Sequence, residues 1–255
     1  MASTTPSLPQ LPEEIPRPNH HEPTESEPLL GRPGDALQRP NSPMYRNLYL
    51  GTGILSQAGL LLLLLSISIP LLSHRPLPPL LVPHPLLQLL GLALLIQAIL
   101  ILQPTTKSNP TAKSRAAKSH GILQLFSFLL FLSGTAIIET NKHVNKLAHF
   151  HSVHAYLGVI TLSLLVVQYL FGFTIYVTPN VWGGEDKARQ LWKWHRYVGY
   201  GVLVLLLATT GSAVWTEYIE TQIGVSKIGV VLGLVLIAAG VFPRVQLGKL
   251  GLREY

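Results

Sequence analysis

The sequence predicts an all-α integral membrane protein with six transmembrane helices, and two features of its composition carry this prediction. Hydrophobic residues make up 48% of the 255 residues and charged residues only 12%, whereas charged residues make up about 25% of an ordinary soluble domain. The apolar residues are concentrated in six runs, each near the roughly 20 residues that a helix needs to cross a bilayer. We therefore expect a surface that faces lipid.

The chain divides into three predicted parts. Residues 1–45 are Pro-rich, acidic in patches and poor in aromatic side chains, so they cannot bury enough apolar surface to offset the entropy of ordering them. We predict a disordered cytosolic tail there, a six-helix transmembrane domain over residues 46–243, and a short cytosolic tail over residues 244–255. The six apolar runs of the domain are 48–72, 80–102, 121–138, 153–177, 197–215 and 223–242.

The sixth run is the weakest of the series, because Lys227 interrupts its first turn. Its uninterrupted part is short enough to form a buried or re-entrant segment instead of a full span. The N-terminal part has no basic start followed by an apolar stretch, so we expect no cleaved signal peptide. The first apolar run is then the segment that directs insertion into the membrane.

Lysine and arginine are unequally divided between the two sets of loops. Both tails, counted with the adjoining Arg46, and the linkers 103–119 and 178–196 carry all but four of the 19 Lys and Arg residues. The opposite loops carry the other four: Arg75, Lys142, Lys146 and Lys227. The positive-inside rule then places both termini in the cytosol of a multi-pass protein. The net charge of +7 is scattered over short loops, so we expect no nucleic-acid partner.

Four histidines each lie near the start of a different apolar run. His84, His120, His154 and His195 follow one another at intervals of 36, 34 and 41 residues. Consecutive spans run in opposite directions, so the starts of the second and fourth spans share one membrane face. The starts of the third and fifth spans share the other. This alternation predicts two pairs, His84 with His154 and His120 with His195.

The paired imidazoles indicate haem. Two facing imidazoles at one depth inside a bundle are what a six-coordinate haem iron requires, and two such pairs would form a path for electrons across the bilayer. The chain has no cysteine, which excludes iron–sulfur clusters and covalent haem attachment. A single histidine of this kind is more often an interfacial anchor. The joint pattern favours a transmembrane dihaem electron carrier.

Glycine positions support the same hypothesis. Gly158 follows His154 by four residues, and Gly199 follows His195 by four residues. Residues four apart lie one turn along the same helix face, so each missing side chain could leave room for a flat macrocycle. His151 competes with His154 for the ligand role, and the glycine spacing favours His154.

The segments around these histidines carry a specific resemblance. The four ligand-bearing segments of the cytochrome b561 family are similar to HPLL from His84, KSHGILQ from Lys118, HAYLG from His154 and WHRYVG from Trp194. The resemblance covers about residues 46–242. The chain departs from the family pattern at the end of the second span. The usual basic residue is absent there, and the run AILILQP occupies residues 98–104.

The resemblance implies a fold, a cofactor and an activity. Members of the family are six-helix proteins whose central four-helix bundle holds two b-type haems by bis-histidine ligation, one near each face. They pass electrons from cytosolic ascorbate to monodehydroascorbate or ferric chelates on the opposite side. Carried over residue by residue, the axial ligands of the haem irons are His84 with His154 and His120 with His195. The chain is then a transmembrane oxidoreductase.

A donor site is predicted beside His120 and His195, on the cytosolic side. Ascorbate is a monoanion, so its site would need cations. The candidates are Lys113, Arg115, Lys118 and Arg196. The same side chains could instead pair with haem propionates or only mark the topology. On the far side, His143, His149 and His151 could hold a ferric acceptor or be solvated loop residues.

Location and alternative functions stay open. Residues 25–30, ESEPLL, resemble the acidic dileucine signal that routes membrane proteins to vacuoles, lysosomes or endosomes, which suggests a vacuolar or endosomal membrane. A transporter that uses intramembrane histidines for protons or metal ions is a second function class, and a non-catalytic membrane scaffold is a third. The sequence leaves open the physiological donor and acceptor, the reduction potentials, and whether the chain forms a homodimer.

Overall fold

The computed structural model describes residues 36–38, 42–76 and 78–252. Over these residues the regular secondary structure is entirely helical. Each of the six helices is long and apolar enough to cross a membrane, the sixth when the turn up to Arg244 is included. The predicted all-α architecture with six spans is therefore confirmed. The helices are α1 (Gly53–Ser73), α2 (Pro83–Leu102), α3 (Pro110–Val144), α4 (Val153–Val177), α5 (Glu185–Ser212) and α6 (Lys227–Val241).

Helix α3 begins about ten residues before the apolar run that predicted it. The side chain of Asn109 accepts a hydrogen bond from the backbone N–H of Ala112 at 3.0 Å, and Pro110 occupies the first turn. Both residues favour a helix start, because the cap satisfies a free N–H and proline has none to satisfy. The linker predicted over residues 103–119 is thus helical from Pro110 onward.

Helix α5 also begins early, at Glu185. Glu185 and Asp186 occupy its first turn, where negative charge interacts favourably with the helix dipole. The linker predicted over residues 178–196 is therefore half helix. In both helices the cap and the charge pattern, rather than hydropathy, determine where the helix starts.

Helix α6 is shorter than its apolar run. It begins at Lys227, and the Ser226 side chain caps it by accepting a hydrogen bond from the backbone N–H of Gly229. Residues Ile219–Ile223, which end where the predicted run begins, form a separate π-helical turn. Lys227 therefore does not interrupt a span but starts one.

The helices pack mainly as three antiparallel pairs: α2 with α3, α4 with α5, and α1 with α6. The first two pairs bring the four histidine-bearing helices together. A single apolar core joins all three pairs. Its fully buried side chains include Leu63, Leu92, Ile96, Leu203 and Ile237.

Glycine allows the close approach of α1 and α6. A Cβ added at Gly59 would lie 2.6 Å from the backbone oxygen of Gly233, so no larger residue fits there without moving a helix. Small residues at such crossings are the usual means by which membrane helices approach closely. Gly59 and Gly233 thus let the two backbones approach closely, and the side chains of Thr52 and Ser56 add hydrogen bonds to the backbone oxygens of Gly240 and Ile237.

Both ends of the described chain lie at the same end of the bundle. We call this end the terminal face and define it by the turn Met44–Leu48, the loop 103–109 and the turn Leu247–Leu250. The end that carries the loops 74–82 and 145–152 is the opposite face.

Residues after α6 pack against the bundle rather than leaving it. Arg244 is 2% exposed and donates from Nη2 to the backbone oxygens of Asn47 at 2.7 Å and Leu100 at 3.1 Å. Lys249 donates from Nζ to the backbone oxygen of Gln103 at 2.7 Å. The segment predicted as a C-terminal tail is therefore docked onto the terminal face as far as it is described.

Most of the predicted N-terminal tail lies outside the described residues, including the dileucine-like segment 25–30. Within the described part, the backbone N–H of Gln38 donates to Pro104 O at 2.9 Å. The side chain of Asn47 donates to Gln38 Oε1 at 3.2 Å.

The Gly59 crossing yields a stability prediction. We expect Gly59→Ala to lower the thermal midpoint of the protein in nanodiscs, because a clash with backbone costs about 1–3 kcal/mol and outweighs the helix-propensity gain of about 1 kcal/mol. Gly201→Ala is the matched control, since nothing lies within 4 Å of a Cβ added there. Equal midpoints for the two variants would contradict the close α1–α6 packing.

Candidate functional site

Two pairs of histidine rings face each other inside the bundle. The ring centroids of His84 on α2 and His154 on α4 are 6.2 Å apart, with the ring planes at 77°. Those of His120 on α3 and His195 on α5 are 6.4 Å apart, with the planes at 86°. The first pair lies where α2 and α4 begin, at the opposite face, and the second lies toward the terminal face. The structure thus brings together the same partners that the alternation of span direction predicts.

Each ring is also held by the neighbouring helix of its own antiparallel pair. At all four positions Nδ1 contacts the residue that lies fourteen positions after the neighbouring helix's own histidine. The contacts are His84 to Gly134 O, His120 to Ala98 O and His154 to Thr209 O, each at 2.9 Å, and His195 to Gln168 Nε2 at 3.0 Å. A helix rises about 1.5 Å per residue, so the two ring pairs lie about 21 Å apart along the bundle.

The remaining nitrogen of each ring suits metal ligation. At three rings a backbone carbonyl can accept a hydrogen bond from Nδ1–H, and this favours the tautomer in which Nε2 keeps its lone pair. Two metal–imidazole bonds of about 2.0 Å in line would hold the ring centroids about 6 Å apart, close to the separation in both pairs. The residues present therefore fit two six-coordinate iron centres with histidine as both axial ligands.

Two glycines shape the surroundings of His195. A Cβ on Gly172 of α4 would lie 2.6 Å from His195 Cε1, so a side chain there would displace the ring. A Cβ on Gly199 would lie 2.9 Å from the amide nitrogen of Gln168. A Cβ on Gly158 would meet only Thr209 Cγ2, at 4.0 Å. That Gly158 and Gly199 leave room for a macrocycle stays a prediction, and at Gly199 the amide of Gln168 already lies in that space.

The four cations predicted for a donor site divide into two groups. Lys113 on α3 and Arg196 on α5 are half-buried, whereas Arg115 and Lys118 are exposed. Arg115 lines a cleft beside the turn Met44–Leu48. The structure therefore places Lys113 and Arg196 inside the terminal face, and the other two at its surface.

Lys249 is a third cation beside Lys113 and Arg196, and it is not one of the residues predicted for the donor site. Arg196 Nη1 donates to Lys249 O at 2.7 Å, and Lys249 Nζ donates to Gln103 O at 2.7 Å. Burial, together with the positive charges of Arg196 and Lys113, lowers the pKa of Lys249 to about 7. Gln103 caps the end of α2, where the family resemblance expects a basic residue that this chain lacks. The C-terminal turn thus brings a cation to that place.

The opposite face carries a smaller charged cluster. Glu139 lies 3.7 Å from Lys142 Nζ and 2.9 Å from His149 Nδ1. His143 is exposed on the last turn of α3, and His151 is exposed in the loop that follows. In the part of the chain that the structure describes, no three His, Cys, Asp or Glu side chains are grouped to hold a metal ion. His143, His149 and His151 therefore do not form a three-ligand metal site there.

Comparison with known families identifies the fold around the histidines. The sequence profile of the family described as eukaryotic cytochrome b561 matches residues 83–219. The chain belongs to the cytochrome b561 family. The matched segment begins in the first turn of α2 and ends after α5, so it contains all four facing histidines.

Three relatives of the chain have ascorbate and reduction in their names. A lysosomal membrane ascorbate-dependent ferrireductase of Bos taurus is 27% identical over 132 residues, which cover 51% of this chain and 49% of the relative. Transmembrane ascorbate ferrireductase 2 of Arabidopsis thaliana is 29% identical over 170 residues, 62% of this chain and 70% of the relative. A transmembrane ascorbate-dependent reductase of Bos taurus is 26% identical over 127 residues, 49% of this chain and 48% of the relative. The chain thus spans about half the length of the bovine relatives.

Three residues of the site are not among those that the sequence pattern predicts: Gln168, Gly172 and Lys249. A sequence pattern could have identified Gln168: of the four residues that lie fourteen positions after a paired histidine, it is the one with a long side chain. No sequence pattern identifies Lys249, since its position depends on how the C-terminal turn folds back onto Gln103.

Proposed function

We propose that the chain carries electrons across a membrane through two b-type haems, from a donor at the terminal face to an acceptor at the opposite face. The observation that carries this proposal is the presence of two facing histidine pairs about 21 Å apart along the bundle. Membership of the cytochrome b561 family supports b-type haem as the cofactor.

In this proposal His84 and His154 hold one haem, and His120 and His195 hold the other. When bound there, haem would supply one-electron chemistry, and the two histidines of each pair would hold its iron. The chain's own groups keep the rings in place: the carbonyls of Ala98, Gly134 and Thr209 and the amide of Gln168 orient them through Nδ1. Such outer contacts fix the ring orientation and strengthen the ligand.

The terminal face is the cytosolic face in this proposal, because most of the basic residues belong to it. The proposed donor is ascorbate, a monoanion, which the half-buried cations Lys113, Arg196 and Lys249 would attract. Arg115 and Lys118 lie at the surface of the same face and would steer the anion toward it. All three relatives are named for reduction that depends on ascorbate, which supports this choice.

The acceptor at the opposite face is proposed to be monodehydroascorbate or a ferric chelate. Both kinds of acceptor can carry negative charge, and Lys142 lies in the last turn of α3, at the opposite face. Two of the relatives are named as ferrireductases, which supports the ferric chelate. Because a histidine pair would hold each iron through both rings, the acceptor is not proposed to bind the metal.

The proposed environment is an internal membrane of the endosomal or vacuolar kind. The bundle exposes large apolar side chains on several helices, among them Leu61, Phe126, Val167 and Val235, and lipid would cover them. One of the relatives is named as a lysosomal membrane protein, which supports this location.

A vesicle assay tests the direction of electron flow. With the purified chain in liposomes that contain ferricyanide, external ascorbate should reduce the trapped acceptor, since the two ring pairs connect the faces. Protein-free liposomes with ascorbate are the control. If the protein's haem is reduced while the trapped ferricyanide stays oxidised, the chemistry is one-sided and the proposal fails.

Histidine substitutions test the ligand assignment. His120→Ala or His195→Ala should remove the haem nearer the terminal face, and His84→Ala or His154→Ala should remove the other, each leaving about one haem per chain. Haem content and the reduced optical spectrum measure this loss. His151→Ala is the matched control, because its exposed ring bonds only to the backbone oxygen of Ala148 at 3.1 Å. Haem loss in that control with retention in His154→Ala would show that the wrong histidine is assigned.

The donor site predicts a pH dependence. Lys249 is charged below its pKa of about 7 and neutral above it, so reduction of the haem by ascorbate should slow as the pH rises through 7. Lys249→Met should remove this pH dependence and slow the reaction at pH 6 about tenfold, since a hydrogen bond to a charged group contributes about 1.5 kcal/mol.

A neutral quinol as donor and Lys142→Met at the opposite face are the controls for the donor site. Both should leave the donor-side rate near its value in the unmodified chain. Equal slowing in Lys142→Met and Lys249→Met would contradict the placement of the donor at the terminal face.

A further inference from the structure

Among the described residues, His195 is the one ring of the four whose nearest Nδ1 partner is a side chain, Gln168; His154 has a longer second contact, 3.5 Å to Ser212 Oγ, beside its carbonyl partner. The other three rings contact a carbonyl oxygen at 2.9 Å, whereas Nδ1 of His195 lies 3.0 Å from Nε2 of the Gln168 side chain. The same amide nitrogen donates to the backbone oxygen of His195 at 2.7 Å. Among the described residues, the buried Oε1 of Gln168 has no hydrogen-bond partner.

A carbonyl and an amide act differently at Nδ1. A carbonyl can only accept, so it always favours a protonated Nδ1. An amide can present its nitrogen, which donates, or its oxygen, which accepts, because a half-turn of the amide exchanges the two atoms. The amide partner of His195 therefore has two orientations, while the carbonyl partners of the other three rings have one.

Neither orientation of Gln168 satisfies every group. With nitrogen toward the ring, the amide bonds the His195 backbone oxygen but requires Nδ1 to be unprotonated. With oxygen toward the ring, it accepts from Nδ1–H, but it then faces the His195 backbone oxygen and leaves its own buried nitrogen without an acceptor. An unsatisfied buried group costs about 1–3 kcal/mol, so this second arrangement is weaker than a carbonyl contact.

Ligation through Nε2 selects the weaker arrangement. A neutral imidazole that binds a metal through Nε2 keeps its proton on Nδ1, so Gln168 must present its oxygen. A weaker acceptor at Nδ1 leaves less negative charge on the ring. The ring then donates less charge to the iron and stabilises the ferric state less, which favours reduction.

We propose that Gln168 is a positioning residue that raises the reduction potential of the haem between His120 and His195, by giving His195 a weaker hydrogen-bond acceptor than the other three histidines have. The inference rests on the proposed function, since it needs haem at that pair. It concerns the single electron that converts the ferric to the ferrous state. A higher potential at the donor side favours acceptance of that electron.

Two substitutions of Gln168 test the sign of the effect. Gln168→Glu places a carboxylate, a strong acceptor, at Nδ1 and should lower the potential of that haem. Gln168→Leu removes the acceptor and should raise it. Spectroelectrochemical titration of the full chain in nanodiscs measures both haems, and the potential of the haem at His84 and His154 should stay unchanged.

Gly199→Ala tests the same contact without changing either partner. Its Cβ would lie 2.9 Å from Gln168 Nε2 and should push the amide away from the ring. We expect a shift in the same direction as Gln168→Leu and no further shift in the double variant, because the two changes disrupt one interaction.

Gln88→Leu is the matched control for Gln168→Leu. Gln88 is another half-buried glutamine beside a ring pair, but its amide donates to Phe131 O and Thr135 Oγ1, each at 3.2 Å, rather than contacting a histidine ring. This variant should leave both potentials unchanged. A shift as large as that of Gln168→Leu would mean that any buried glutamine near a haem has the same effect, and it would overturn the inference.

Haem content separates failure of this inference from failure of the proposed function. An unmodified chain that binds no haem refutes the function itself. Two bound haems with unchanged potentials in the Gln168 variants, or with both haems shifted alike, refute the role of Gln168 only. If Gln168→Leu does not fold, Gln168→Glu and Gly199→Ala still test the inference. They should shift the potential of the haem between His120 and His195 in opposite directions.

Discussion

A buried imidazole needs a partner for its second nitrogen, and this requirement sets the register of the central helices. An unsatisfied polar group in the apolar interior costs about 1–3 kcal/mol, and buried polar groups in folded proteins nearly always have a partner. Each ring finds its partner on the antiparallel neighbour, fourteen residues after that neighbour's own histidine. The same spacing holds on all four helices, so it fixes both the register within each helix pair and the depth of the two ring pairs. The separation of about 21 Å follows from it.

The register also explains why glycines and glutamines face each other. A residue four positions after one histidine lies opposite the residue fourteen positions after the other. In the α2–α3 pair the glycine is Gly134, where a Cβ would lie 3.0 Å from Gln88 Nε2. In the α4–α5 pair the arrangement is reversed, and Gly199 faces Gln168. Because the long side chain follows His154 by fourteen residues, it reaches Nδ1 of His195 in place of a carbonyl. The two ring pairs thus differ in where the glutamine lies: four residues after the histidine in the α2–α3 pair, and fourteen residues after it in the α4–α5 pair.

Hydropathy and span direction were sufficient to predict the fold class and the histidine pairs. Six runs of about 20 apolar residues leave little choice of architecture, and alternating spans allow only one pairing of histidines by face. The starts of α3 and α5 could not be predicted from the same signal, because Asn109 and Glu185 act through caps and charge outside the apolar runs. Lys249 depended on a C-terminal turn whose docking on Gln103 has no local pattern. The transporter hypothesis expects broken spans and acidic midplane residues, and α2 to α5 are continuous helices.

The central claim is that each ring pair binds one haem, so haem stoichiometry and spin state test it most directly. We predict that a pyridine haemochrome assay on the purified chain gives two haem b per chain. The oxidised and dithionite-reduced optical spectra should be those of low-spin iron, because protein fills both axial positions. One haem per chain, no haem, or a high-spin spectrum with an open iron position would contradict the account.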